Sequence, residues 1–119
     1  MTFAIKYMDD ARADLHIIHD YIESEFDPHA ANKALTAIMH SVDSLAEFSN
    51  RGPRLSSRSP FKDTFAVFPD KYRFVFTDMN VIFYSVDARA NEIRILRVFD
   101  KRESITARVL AYFNDDNRE

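Results

Sequence analysis

At 119 residues, with 46% apolar and 29% charged residues, the chain has the size and composition of one globular domain. It contains no cysteine, which excludes disulfides, cysteine-ligated zinc and thiol catalysis. Its formal net charge of −3 disfavours general nucleic-acid binding, because proteins that grip phosphate backbones are usually basic. We find neither a signal-peptide pattern nor a run of about 18 apolar residues, so we expect a cytoplasmic protein with a single domain over residues 1–119 and no membrane contact.

The first half of the sequence predicts one strand and a pair of helices. Alternating apolar residues predict a short edge strand over residues 2–7. Apolar positions that step by three and four residues then predict a helix from residue 9 or 10 to about 25. Asp27 followed by Pro28 is a strong helix-start signal, since Asp caps free amide groups and the first turn does not need the N–H that proline lacks. This second helix should end near residues 48–50 and pack antiparallel to the first.

The second half predicts a sheet. Residues 51–69 are rich in Arg, Ser and Pro and read as a surface loop of unknown role, with a short extended piece at 64–68. Strands, a short helix and a polar tail follow, at residues 71–77, 80–86, 92–99, 103–113 and 114–119. The short connections between the three strands predict an antiparallel meander. We therefore predict an α+β fold whose helix hairpin covers one sheet face and leaves the other face free for function.

Common catalytic and metal-binding patterns are not evident in the sequence. His16 and His19 lie three apart on the first helix, a spacing that suits a shared metal ion, but no third ligand follows at a suitable distance. The acids of that helix have the spacing of a solvated face rather than of paired catalytic carboxylates: Asp9, Asp10, Asp14, Asp20, Glu23 and Glu25. A single glycine excludes a glycine-rich phosphate loop. We predict no metal and no cofactor.

Two arginines within the predicted strands are the better candidates for a functional site. Side chains alternate across a strand, so Arg97 projects from the free sheet face if Leu96 and Val98 face the helices. Arg73 interrupts an aromatic strand in the same way and could stand near Arg97. Such a pair would suit an anion or a protein partner. Pairing of these arginines with acids on neighbouring strands is an equally good interpretation.

Several strings, taken in order, resemble a known toxin family over about residues 3–110. The strings at 11–15 (Ala-Arg-Ala-Asp-Leu) and 27–31 resemble the starts of the family's two helices. The strings at 80–86 (Asn-Val-Ile-Phe-Tyr-Ser-Val) and 93–99 (Ile-Arg-Ile-Leu-Arg-Val-Phe) look like one of its branches. The family is the RelE/ParE toxins of type II toxin–antitoxin systems, and the branch is ParE. The resemblance implies a curved antiparallel sheet packed on a helix hairpin, and a toxin of the plasmid-stabilisation type that a co-expressed antitoxin wraps and neutralises.

The resemblance leaves two activities open, and one of them is enzymatic. RelE-like members cleave mRNA on the ribosome, using lysines, arginines and often a tyrosine or histidine on the free sheet face. For that activity the phosphate-binding candidates are Arg73, Arg97, Lys101 and Arg102, and Tyr84 is the nearby acid group. ParE-like members lack the complete set and are associated with poisoning of DNA gyrase. The same four cations are our candidates for binding the target or the antitoxin.

Two residues favour the ParE branch. Asp100 stands where many relatives carry a histidine, and Asn80 where some carry an arginine or histidine. An acid beside the phosphate site repels RNA, as does the net negative charge. We therefore predict a gyrase inhibitor without sequence-specific DNA binding, held inactive by an acidic antitoxin segment that meets Arg73, Arg97 and Lys101. The alternatives are a ribosome-dependent endoribonuclease and a non-toxic relative that only binds its antitoxin.

Overall fold

The computed structural model describes residues 2–49, 52–54, 71–103 and 105–114. Its elements follow the predicted order: β1 (Ala4–Tyr7), α1 (Asp9–Glu25), α2 (Pro28–Ser44), β2 (Tyr72–Phe76), β3 (Asn80–Asp87), β4 (Glu92–Asp100) and α3 (Ile105–Asn114). The predicted α+β fold class is confirmed. The expected extended piece at 64–68, most of the loop 51–69 and the tail after 114 lie outside the described residues. None of the described helices combines the length and apolar character needed to cross a membrane.

The four strands form one sheet in the order β1-β4-β3-β2. β2, β3 and β4 pair antiparallel, which confirms the meander, and β1 is an edge strand as expected. β1 runs parallel to β4, and their last pair is Tyr7 with Ile95. β4 continues for five residues beyond that pair, to Asp100. Within the described residues, this last part of β4 has no strand beside it on the β1 side.

The helix hairpin packs on one face of the sheet. Asp27 caps α2 as predicted, since its Oδ1 accepts the Ala30 N–H at 2.7 Å and Pro28 occupies the first turn. The apolar stripe of α1 is also confirmed, because Ala11, Leu15 and Ile18 pack into the core with α2 and the sheet.

The predicted end of α2 near residues 48–50 is wrong. The helix ends at Ser44, where the Leu45 N–H turns back to the Val42 carbonyl at 2.9 Å. The chain then leaves the helical path, and the Ala46 carbonyl accepts the Phe3 N–H at 2.8 Å. Early termination thus lets this segment bind the start of the N-terminal strand.

A β-bulge in β4 changes which side chains face the helices. Phe83 pairs with Arg97 but Tyr84 pairs with Ile95, so Leu96 is one extra residue in β4. Ile95 and Val98 consequently both pack against the helix hairpin, while Leu96 lies in the core of the opposite face. The predicted placement of Leu96 and Val98 on one face is therefore wrong, because a one-residue insertion reverses the alternation beyond it.

The second face of the sheet is also covered. Val109 and Tyr112 of α3 are buried in a cluster with aromatic side chains of all three meander strands, among them Phe83. Phe113 packs edge-on against Tyr72, with ring centroids 4.9 Å apart. The prediction of a free sheet face is wrong here, because a face so rich in aromatic side chains gains by burial and the chain's own last helix provides it.

Candidate partner-binding site

Arg97, the centre of the predicted cationic site, is held by a carboxylate of α1. Its Nε and Nη2 donate to Oδ2 and Oδ1 of Asp14 at 2.7 and 2.9 Å, a two-bond geometry that is among the stronger ion-pair contacts in proteins. The guanidinium also lies 5.3 Å from the centre of the Phe99 ring. The hydrogen bonds that Arg97 donates to Asp14 raise the pKa of Arg97, against the opposing effect of burial. The structure thus agrees with the alternative interpretation, in which Arg97 pairs with an acid. The acid lies on α1 and not on a neighbouring strand.

Asp14 has a second role at the edge of β4. Its Oδ2 accepts the Val98 N–H at 2.8 Å, in the region where β1 no longer accompanies β4. The carboxylate takes the place that a carbonyl of a neighbouring strand would occupy. Asp14 is only 7% exposed, so its assignment to a solvated acidic face is wrong. The signal was its spacing, because Asp14 follows Ala11 by three residues and precedes Ile18 by four, which places it on the apolar stripe.

Arg73 and Tyr84 lie on the helix-facing side of the sheet and bind one short segment of the chain. The Nη1 atom of Arg73 donates to the Gly52 carbonyl at 2.9 Å. The Tyr84 hydroxyl accepts the Gly52 N–H at 3.0 Å and donates to the Ser49 carbonyl at 2.9 Å. Tyr84 is fully buried. Arg73 and Arg97 are therefore not brought together, and the Tyr84 hydroxyl is engaged by the main chain rather than presented to solvent.

Lys101 and Arg102 lie in the turn after β4, and both are exposed. Arg102 donates to Asp100 twice, from Nη2 at 2.7 Å and from Nε at 3.0 Å. These bonds lower the pKa of Asp100 and raise that of Arg102. The Lys101 ammonium lies 5.6 Å from the centre of the Phe76 ring. Of the four predicted cations, these two present their charge to solvent, and one of them carries an acid beside it.

A long groove runs along α1, between that helix and the chain from Val98 to Glu103. Its first part, of about 610 Å³, is lined on the α1 side by Ile17, Ile18 and Tyr21. The second part, of about 380 Å³, shares Ile18 and Tyr21 and continues to Phe26 and Met79. Of the six large apolar side chains that are exposed in the described residues, four line these two parts: Ile17, Tyr21, Phe26 and Met79. A contiguous exposed apolar patch of this kind marks a site of interaction. We call the groove formed by these two parts the α1 groove.

The histidines of α1 do not form a metal site in the structure. His16 is exposed, and the nearest acid to His19 is Asp20, with its Oδ1 3.4 Å from Nδ1. In residues 2–49, 52–54, 71–103 and 105–114, no group of three or more potential ligand side chains could hold a metal ion. Among the described residues, the candidates for a functional surface are therefore the exposed cations at 101–102 and the α1 groove.

Comparison with known proteins identifies similar chains. The family model described as "ParE toxin of type II toxin-antitoxin system, parDE" matches residues 5–105. A solved structure of the chromosomal ParDE TA system from P. aeruginosa is 25% identical with a TM-score of 0.63, covering 83% of this chain and 96% of that one. The toxin–antitoxin complex RelBE2 from Mycobacterium tuberculosis is 18% identical with a TM-score of 0.57, covering 85% and 100%, a likeness of fold alone. The comparison with curated proteins returned no match.

Proposed function

The chain belongs to the ParE toxin family of type II toxin–antitoxin systems, and on that basis we propose that it inhibits DNA gyrase in the cytoplasm by binding it. The proposed toxin has no catalytic site of its own, and a cognate antitoxin holds it inactive. Gyrase and the antitoxin would be bound by protein surfaces such as the α1 groove and the cations Lys101 and Arg102. Both surfaces are exposed in the structure.

This proposal rests on one observation: the side chains that a nuclease would need are already bound to other groups of the protein. Arg97 is bound by Asp14 through two hydrogen bonds, and Arg73 donates to a main-chain carbonyl. Tyr84 is buried and its hydroxyl both donates to and accepts from the main chain. A phosphate would have to displace the buried carboxylate of Asp14 to reach Arg97, which costs far more than contacting a free cation. These contacts favour a protein-binding toxin over an endoribonuclease.

An antitoxin partner is supported by the nature of the similar structures. The P. aeruginosa structure is of a ParDE toxin–antitoxin system, and the M. tuberculosis one is a complex of the RelBE2 pair. An exposed apolar groove on a small acidic protein favours a bound partner for most of its lifetime, because large exposed apolar patches promote association. We therefore propose that the chain is normally held in a complex with its antitoxin.

The test uses the purified protein in two parallel assays. One follows supercoiling of relaxed plasmid by gyrase, and the other follows cleavage of mRNA bound to ribosomes; the complex with co-expressed antitoxin is the control in both. We expect the free protein to abolish supercoiling, the complex to leave it intact, and the mRNA to stay uncut. Cut mRNA with normal supercoiling would overturn the proposal and favour the RelE-like activity. Unimpaired supercoiling together with uncut mRNA, and normal growth on strong expression, would favour a non-toxic antitoxin-binding relative.

A further inference from the structure

We propose that the α1 groove is the docking site for an amphipathic helix of the antitoxin, and that the flank of this helix facing α1 carries Lys and Arg. The inference rests on the proposed function in one respect, the existence of an antitoxin, and is independent of whether the toxin acts on gyrase. The α1 groove and a basic partner replace the site expected from the sequence, an acidic antitoxin segment bound to Arg73 and Arg97. Those two arginines are already bound within the protein.

The apolar side chains of the groove favour a bound partner. Ile17 is 67% exposed and Phe26 74% exposed, and they lie at opposite ends of the groove on either side of Tyr21. Apolar side chains of this size gain free energy when they are buried, so leaving several of them in water is unfavourable. The distance along α1 from residue 17 to its end is about 12 Å, which matches roughly two to three turns of a second helix.

The charge of α1 and of the turn after it favours a basic partner. Residues 13–32 contain no Lys or Arg, but they contain five acids: Asp14, Asp20, Glu23, Glu25 and Asp27. Asp14 is neutralised by Arg97, while the other four are exposed. Asp20 follows Ile17 by three residues and Glu25 follows Tyr21 by four, so helical spacing places both acids beside the apolar side chains of the groove. A partner that covers this wall with Lys and Arg is favoured, and one that covers it with acids is repelled.

The charges of the opposite wall are balanced. Its two arginines pair with its two acids: Arg102 Nη2 lies 2.7 Å from Asp100 Oδ2, and Arg108 Nε lies 3.4 Å from Glu103 Oε2. The unbalanced charge beside the groove is therefore that of the acids on α1. A helix in the groove would have an apolar face and a basic flank toward α1, and this asymmetry favours one rotation of the helix over the reverse.

The edge of β4 favours a helix over an added strand as the occupant of the groove. The exposed edge of β4 borders the groove, but two of its N–H groups are already used: Asp14 accepts that of Val98 at 2.8 Å and Glu103 accepts that of Asp100 at 3.1 Å. Strand addition depends on main-chain hydrogen bonds to such an edge, whereas a helix in a groove relies on side-chain burial. Because these two N–H groups of β4 are already bound and an apolar groove lies beside them, a helix fits the site better than an added strand.

The experiment measures binding of the co-expressed, purified antitoxin to toxin variants by calorimetry at low and high salt. Phe26→Ala tests the apolar part, with Phe48→Ala as its matched control, because Phe48 is 62% exposed but lies outside the groove. Glu25→Lys tests the acidic wall, with Glu23→Lys as its control on the same helix, since residues two apart point in different directions. We expect each groove variant to weaken binding roughly tenfold and each control less than twofold.

A charge-exchange series then tests the partner chemistry. Each Lys and Arg in the toxin-binding part of the antitoxin is changed to Glu in turn, and at least one of these changes should restore the binding that Glu25→Lys lost. Wild-type affinity for Phe26→Ala and Glu25→Lys would overturn the docking site, and restoration by none of the antitoxin variants would overturn its basic flank. If the wild-type pair does not bind at all, the proposed function fails instead, so the two failures are distinguishable.

Discussion

Replacement of Asp14 by Asn should destabilise the fold more than any other isosteric change on α1. The carboxylate accepts two hydrogen bonds from Arg97 and one from the Val98 N–H, and the amide would offer one oxygen and turn an NH₂ donor toward the other donors. Breaking a buried pair costs about 3–5 kcal/mol, and we take the lower end because 19% of the Arg97 side chain is exposed. Against a total stability of roughly 5–15 kcal/mol, a loss of about 3 kcal/mol leaves a folded but much weaker protein.

Urea denaturation followed by circular dichroism measures this loss. With a slope of about 1.5 kcal/mol/M, the midpoint should fall by about 2 M. The matched control is Asp20→Asn on the same helix, whose side chain is 80% exposed and which should change stability by about 0.5 kcal/mol or less. In a double-mutant cycle with Arg97→Leu, the combined change should cost clearly less than the sum of the single changes. An Asp14→Asn midpoint equal to that of the control would refute the role of Asp14 as both ion-pair partner and strand-edge cap.

Three further changes test other contacts. Gly52→Ala should cost about 2 kcal/mol or more, measured by urea denaturation, because the added Cβ would overlap the Phe74 carbonyl oxygen and lie 2.7 Å from the Tyr84 hydroxyl. Tyr84→Phe should lower stability by about 1–2 kcal/mol but leave inhibition of supercoiling unchanged; a loss of inhibition at unchanged stability would show that the hydroxyl acts on the target. Asp100→Asn should flatten the acid limb of the stability profile: hydrogen bonds from Arg102 hold the pKa of Asp100 below 3.8, so its contribution is present above that pH and lost as the pH falls through the lowered value. An unchanged acid limb in the variant would contradict that assignment.

The order of elements could be predicted because each element carries a strong local signal. Asp27 and Pro28 start α2 by capping chemistry that needs no knowledge of the rest of the chain, and the structure has the cap bond. The meander follows from three apolar strands with short connections. The end of α2 could not be predicted in the same way, because it depends on a contact between Ala46 and Phe3, more than 40 residues apart.

The candidate site was harder to predict because two features of β4 are set by tertiary structure. The bulge at Leu96 has no marker such as glycine in the sequence, yet it reverses every side chain that follows and changes the surroundings of Arg97. The ion pair joins Asp14 to Arg97 across 83 residues, so neither the helix pattern nor the strand pattern alone could reveal it. The position of Asp14 on an apolar stripe was the one available signal, since a lone acid on a buried face needs a partner.

The ion pair and the α1 groove have a common origin in the difference in length between β1 and α1. β1 has four residues and spans about 13 Å, whereas α1 has 17 residues and spans about 26 Å. The helix therefore extends along the edge of β4 beyond the point where β1 stops, and main-chain donors of that edge need acceptors. The carboxylate of Asp14 accepts the Val98 N–H, beyond the end of β1, and the carboxylate of Glu103 accepts the Asp100 N–H. Beyond Asp14, the α1 side chains Ile17 and Tyr21 have no part of β1 to pack against and remain exposed. A longer β1 would cover this part of β4 and leave no groove, so a short first strand is what creates a surface for a partner to bind.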